Sequence, residues 1–163
     1  MVKSVLAAVA VLATVQAEAA SDPHPLPLLK FAEQCVIKAF QLNYAAYERQ
    51  LQDLHVECMT DPAYRDWRSS LQRVGIIDQL RSPKAALVLA VNNGPGRVIQ
   101  EGVKTVGNLN RYTTTVRTPV SIVFNGNVDR APQGYVETDV IRVRQNDRIV
   151  GYAIHAIRLN IQK

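Results

Sequence analysis

Asp61-Pro62-Ala63-Tyr64-Arg65-Asp66-Trp67-Arg68-Ser69-Ser70-Leu71-Gln72-Arg73-Val74-Gly75-Ile76-Ile77 is written as one short helix joining a helical first half to a strand-rich second half. Asp61 suits an N-cap, because its carboxylate can accept an orphan N–H of the first turn. Pro62 then falls at the first helical position, where a missing N–H costs nothing. Tyr64, Trp67, Leu71 and Val74 recur at three- and four-residue steps and predict one apolar face. Arg65, Asp66, Arg68, Ser69, Gln72 and Arg73 occupy the other. Gly75 can take the left-handed conformation that stops a helix, with Ile76 folding back on Leu71.

Upstream of this joint, Leu28, Leu29, Phe31, Ala32, Cys35, Val36, Ala39 and Phe40 form a helical stripe, with Lys30, Glu33, Gln34 and Lys38 opposite. The pattern resumes at Tyr44, Tyr47, Leu51 and Leu54. Gln41-Leu42-Asn43 between the two halves is either a kink or a break. Downstream, Ile76 to Leu80 predicts one more short turn, closed by Ser82-Pro83.

From Lys84 the period changes to two. Ala85 to Val91 is a nearly continuous apolar run of strand length, and Asn92-Asn93-Gly94-Pro95-Gly96 is dense turn chemistry. Val98 to Val106 reads as a weaker strand. Tyr112, Thr114, Val116, Thr118, Val120, Ile122 and Phe124 alternate with polar residues, and Pro119 within that run predicts an edge position or a bulge. Asn125-Gly126-Asn127 is a hairpin signal. Tyr135 to Arg144 and Arg148 to Ile161 follow as strands joined at Gln145-Asn146-Asp147. Helices first and hairpin-linked strands afterwards predict an α+β fold with an antiparallel sheet. Pro119 and Gly151 are places where such strands bend. A curved antiparallel sheet wrapped over N-terminal helices is the nuclear-transport-factor-two-like (NTF2-like) architecture.

The joint helix, opened by Thr60-Asp61-Pro62 and ending Trp67-x3-Leu71-x2-Val74-Gly75-Ile76, resembles the periplasmic domain of the DotI/IcmL family. So does the upstream pattern Phe40-x3-Tyr44-x2-Tyr47-x3-Leu51, and the likeness spans roughly residues 28 to 160. Members are inner-membrane-complex subunits of type IVB secretion and related conjugation systems. The resemblance implies the same NTF2-like fold. It also implies an assembly role, with other inner-membrane or periplasmic subunits of the secretion system as partners, self-association left open, and no cofactor. Family members usually keep a transmembrane helix before this domain.

Residues 1–19 read as a cleavable signal peptide. Lys3 is the basic lead, Val5 to Val15 is an apolar run broken only by Thr14, and Ala17-Glu18-Ala19 is a small-x-small site that predicts cleavage between Ala19 and Ala20. The run is short of the ~20 residues a spanning helix needs. The alternative is an uncleaved signal anchor, the one case in which the membrane becomes a partner. Residues 20–27 form a short Pro-rich lead-in and residues 28–163 one domain. A periplasmic location follows, with the chain at or near an inner-membrane complex.

The chain has 163 residues, 47% of them apolar, and a formal charge of +5. This suffices for a core. Its basic residues are scattered, without a Lys/Arg run or interleaved aromatics, so no specific nucleic-acid site is predicted. Cys35 and Cys58 invite a disulfide in an exported chain. It would close a loop of about 22 residues, worth roughly 3 kcal/mol on the loop-entropy model. A straight helix would hold the two about 35 Å apart at ~1.5 Å per residue, so the bridge requires the break near Asn43. Otherwise Cys35 is a small core residue.

His24, His55 and His155 are too scattered to suggest a metal site, and no zinc or calcium spacing occurs. His155 shares an expected strand face with Ala153, Ile157 and Leu159. No catalytic motif stands out, and the expected function is non-catalytic. The rival is a ligand pocket or isomerase-like site in the cavity of the same fold. There Asp139 would be general base, with Tyr112, Tyr135, Tyr152 and His155 as further candidates.

Overall fold

The computed structural model describes residues 26–81, 87–106, 108–124, 133–145 and 150–161. The leader, Ser82-Pro83, the Asn125-Gly126-Asn127 signal and Asn146-Asp147 lie outside the described residues. Helices α1 (Leu26–Phe40), α2 (Tyr47–Cys58), α3 (Asp61–Arg73) and α4 (Ile76–Leu80) come first, with a two-residue strand β1 (Leu42–Asn43) between α1 and α2. Strands β2 (Leu87–Asn92), β3 (Arg97–Val106), β4 (Leu109–Phe124), β5 (Gln133–Arg142) and β6 (Tyr152–Ile161) follow. The fold is α+β. The strands form one antiparallel sheet in the order β1-β2-β4-β5-β6, with β3 also paired to β4.

The helical stripe breaks at Gln41-Leu42-Asn43. Leu42 leaves the helix, is fully buried, and pairs with Val88 of β2. The Asn43 side chain then accepts the Ala46 N–H at 2.9 Å, and the Asn43 N–H donates to Gln50 Oε1 at 3.0 Å. These bonds satisfy the backbone where the helix has let go. Tyr44 therefore sits in the turn, 44% exposed, rather than on a stripe with Tyr47, Leu51 and Leu54. The reversal lays α2 back along α1 and brings the Cys35 and Cys58 Cα atoms to 5.8 Å, with their sulfurs bonded.

In α3 the N-cap is Thr60, and Asp61 is the first helical residue. Asp61 Oδ1 instead meets His55 Nε2 at 2.8 Å. The buried face is Ala63, Trp67 and Leu71, with Tyr64 half-buried and stacked on His55 at 4.3 Å between ring centroids. Val74, expected on that face, is the C-cap, 65% exposed. The chain unwinds there, because Gly75 takes φ 76° and its N–H turns to the Gln72 carbonyl. A side chain is strained at that φ, so glycine suits the stop. Trp67 meets Phe40 edge-on at 5.1 Å and 80°, locking α3 to the end of α1.

Strand β4 is the spine of the sheet. It has 16 residues; Thr113 to Ser121 pair with β5 on one side, while β3 (opposite Leu109 to Arg117) and β2 (opposite Val120 to Phe124) divide the other. Pro119, expected at an edge or bulge, lies inside this central strand. Its carbonyl accepts from the Asn93 N–H, so its nitrogen faces the interval where β2 has ended and β3 has not begun. The missing donor costs nothing there. Nearby, the Gly96 N–H donates to Glu33 of α1, and a Cβ at Gly96 would come within 3.0 Å of that carboxylate. The helices pack on one sheet face, where Val116, Val120, Val136, Val140 and Ile154 meet Phe31, Val36, Phe40 and Leu54 in one cluster.

Truncating Trp67 to Ala removes the ring that joins α3, α1 and the sheet and should cost about 3–5 kcal/mol. Val74→Ala, at an exposed cap, should stay within about 0.5 kcal/mol. Urea titration of the two variants checks the assignment; equal and small losses would contradict it.

Candidate functional site

Strand β6 ends the sheet, and its outer edge is only partly covered. The α2–α3 connection touches it at one place, where the Thr60 N–H donates to the Ile154 carbonyl at 3.0 Å beside a parallel bridge from Met59. Among the described residues, no further strand pairs with that edge from Ala156 to Ile161. Between this edge and α3 runs an apolar groove of about 440 Å³. Phe40, Trp67 and Leu71 line it deeply, and Val74, Ile157 and Leu159 lie along it. The Trp67 indole N–H is buried and has no hydrogen-bond partner among the described residues.

A one-residue bulge aims β6. Asp139 pairs with Ala156 while Val140 pairs with Ile154, which leaves His155 as the extra residue. The face expected for His155, shared with Ile157 and Leu159, is therefore interrupted. Ile154 is fully buried, Ile157 and Leu159 pack on the core, and His155 turns toward the α2–α3 connection, its Nδ1 3.4 Å from Thr60 Oγ1. Burial pushes its imidazole pKa down, against an opposing pull from the Asp139 charge.

Behind the groove, on the sheet face away from the helices, lies a charged network. Thr115 and Arg117 of β4 alternate with core-facing Val116 and Thr118, and they register against Asp139 and Glu137 of β5. Arg158 of β6 grips Asp139 with two nitrogens, at 3.0 and 2.9 Å. The Thr115 hydroxyl and Lys104 Nζ add donors at 2.7 and 3.1 Å. Arg117 donates to Glu137 at 2.7 Å and lies 4.2 Å above the Tyr135 ring. Burial pushes the Asp139 carboxyl up, but the bonds from Arg158, Thr115 and Lys104 outweigh it and hold the pKa at about 2.

The pocket candidates do not converge. Asp139 and Tyr135 belong to this network, Tyr152 packs on Phe31 of α1 at 5.8 Å, Tyr112 is 60% exposed near the β3–β4 turn, and His155 occupies the bulge. A general base working near neutral pH needs a pKa close to the operating pH. Asp139 has one far below it, with its oxygens already engaged. Among the described residues no three His, Cys, Asp or Glu side chains gather where a metal could be held. What the arrangement offers is an apolar slot beside unpaired backbone, on a strand braced from behind by ion pairs. Lys104, Thr115 and Arg158 escaped sequence reasoning, although the same-phase Glu137 and Asp139 called for cations on neighbouring strands.

The fold is shared with solved structures. A periplasmic fragment of TraM superposes with TM-score 0.70 at 20% identity, over 83% of this chain and 96% of that one. The periplasmic domain of DotI gives 0.69 at 21% identity, over 82% and 92%. An IcmL-like type IV secretion system protein from Legionella pneumophila gives 0.66 at 12%, over 86% and 95%. No curated protein matches the chain. Residues 9–159 match the DotI/IcmL family model, described as type-IV b secretion system, inner-membrane complex component. The chain belongs to that family. None of its described helices is long and apolar enough to cross a membrane.

The low pKa of Asp139 is a stability statement with a sign. Its ordinary value is about 3.9, so the folded state is favoured while the carboxyl is ionised, by about 2 kcal/mol, and the gain is lost as pH falls from about 4 toward 2. Asp139→Asn should unfold more readily in urea at neutral pH, and its deficit should shrink below pH ~4 and nearly vanish near pH ~2. A deficit that stays constant across that window would contradict the network.

Proposed function

We propose that this chain is a non-catalytic periplasmic assembly subunit of a type IVB-like secretion or conjugation machine. In this reading it is exported by residues 1–19, cut between Ala19 and Ala20, and works through protein contacts of its 28–163 domain. Family membership supports the machine. The observation that supports the mode of action is the apolar groove beside the partly covered β6 edge. An extended segment of a neighbouring inner-membrane-complex subunit fits both features. Its backbone would add a strand along Ala156 to Ile161, and an apolar side chain would settle against Trp67 and Leu71. The scattered pocket candidates and the saturated Asp139 weigh in the same direction. A second copy of this chain using the same edge is the homo-oligomeric variant of the reading.

A photo-crosslinking amino acid at Asn160, in the native cell, should capture another subunit of the secretion complex, whereas one at Gln52 on exposed α2 should not. Leu159→Arg, which puts a charge into the groove, should lower substrate transfer at least tenfold while the protein still folds. Recovery of self alone would point to the homo-oligomer. Recovery of nothing, with transfer intact in folded Leu159→Arg, would overturn the reading.

A further inference from the structure

Away from the groove, the start of α1 and the β3–β4 turn share one end of the molecule. Leu28 lines a small cavity there together with Tyr112 and Arg142. Strand β4 runs beyond β5 at this end, pairing with β3 alone from Leu109 to Tyr112. Arg111, Arg142 and Arg144 line an open cleft of about 530 Å³ together with Val143.

These arginines differ from the basic residues of the sheet. Lys104, Arg117 and Arg158 each hold a carboxylate. Among the described residues, Arg111, Arg142 and Arg144 have no ion-pair partner, and no acid lines their cleft. The nearest acid in the adjoining cavity is Glu101, which accepts a hydrogen bond from Thr114 at 3.0 Å. Among the described residues these three like charges have no counter-ion and repel, so the arrangement asks for an external anion.

The surroundings say which. Exposed apolar side chains mark the same end: Val103 (67%), Leu109 (57%) and Tyr112 (60%) on the β3–β4 ribbon, and Val150 (52%) in the turn tied to Val143 by the Gly151 carbonyl. Arginine beside tyrosine and aliphatic groups suits the headgroup layer of a bilayer, where apolar tips enter and cations stay with phosphate. The chain also enters the domain here. Between the apolar run ending at Val15 and the start of α1 lie ten residues, 16–25, which reach at most about 35 Å. On the signal-peptide reading, that segment tethers this end of the domain to the membrane until cleavage.

We propose that this end, with Arg111, Arg142 and Arg144 at its centre, docks on anionic phospholipid headgroups and orients the domain with its β6 edge free for partners. It needs no other subunit, so its failure and that of the assembly reading are separate events.

The test uses protein expressed from the full gene and purified as the cell processes it. It should co-sediment with vesicles of mixed phosphatidylglycerol and phosphatidylcholine, release as salt is raised, and ignore phosphatidylcholine alone. Arg111→Ala/Arg142→Ala/Arg144→Ala should weaken binding about a hundredfold, each arginine near an anionic surface being worth about fivefold. Arg65→Ala/Arg73→Ala, on the exposed side of α3, should bind like wild type. If the triple variant melts early, the single exposed change Arg144→Glu carries the test with a loss of about tenfold or more. Equal binding to both vesicle types, undiminished binding by folded arginine variants, or capture of an acidic protein in place of lipid would overturn the proposal.

Discussion

The bond between Cys35 and Cys58 closes the reversal on which the rest of the architecture is hung. It joins α1 to the end of α2, so the next residues, Met59 and Thr60, arrive at the bulge of β6. From there α3 can run only back over the sheet margin, which sets Trp67 against Phe40. A loop of this size contributes roughly 3 kcal/mol by restricting the unfolded chain, comparable with the packing of one large core side chain. The groove is a by-product of the clamp. Once α3 is pinned by Trp67 and Thr60, none of the described helices covers the outer edge of β6 beyond Ile154.

A strand in that position must be held rigid from elsewhere. The ion-pair network supplies this on the other face, tying β6 to β5, β4 and β3 through Arg158, Asp139, Thr115 and Lys104. Such networks are weak evidence for net stability, because desolvation offsets much of the attraction. Their stronger consequence here is register: each member finds its partners at one strand alignment only. A slip of one residue would turn Asp139 into the hydrocarbon core. The same alignment sets the bulge at His155, and with it the direction of the edge strand.

Much of the fold was legible because it rests on periodicity. The switch from three-and-four steps to alternation at Lys84 separates helices from strands, and Gly75 closes α3 as its neighbours require. What escaped legibility depends on single insertions and on distant pairings. Nothing in the composition around His155 announces a bulge, and plain alternation predicts a face that the extra residue interrupts. Val74 continues the apolar spacing of α3, yet the helix has already ended. The division of β4 between β2 and β3 makes Pro119 harmless in a central strand, a consequence of order in the sheet and not of local sequence. The groove joins Phe40, Trp67 and Leu159, which only the clamped reversal brings together. The DotI/IcmL resemblance was carried by ordinary residues around Trp67 and Gly75, and the family match over residues 9–159 bears it out.

Among the described residues the outer edge of β6 from Ala156 to Ile161 is unpaired backbone, and the proposed function needs a partner's strand there. Residue-resolved amide hydrogen exchange reads this directly. In the isolated protein, alternate amides between Ala156 and Ile161 should exchange fast while those bonded to β5 stay protected, and the fast set should become protected in the assembled complex. Uniform protection along the isolated strand, or a fast set unchanged on assembly, would contradict the account.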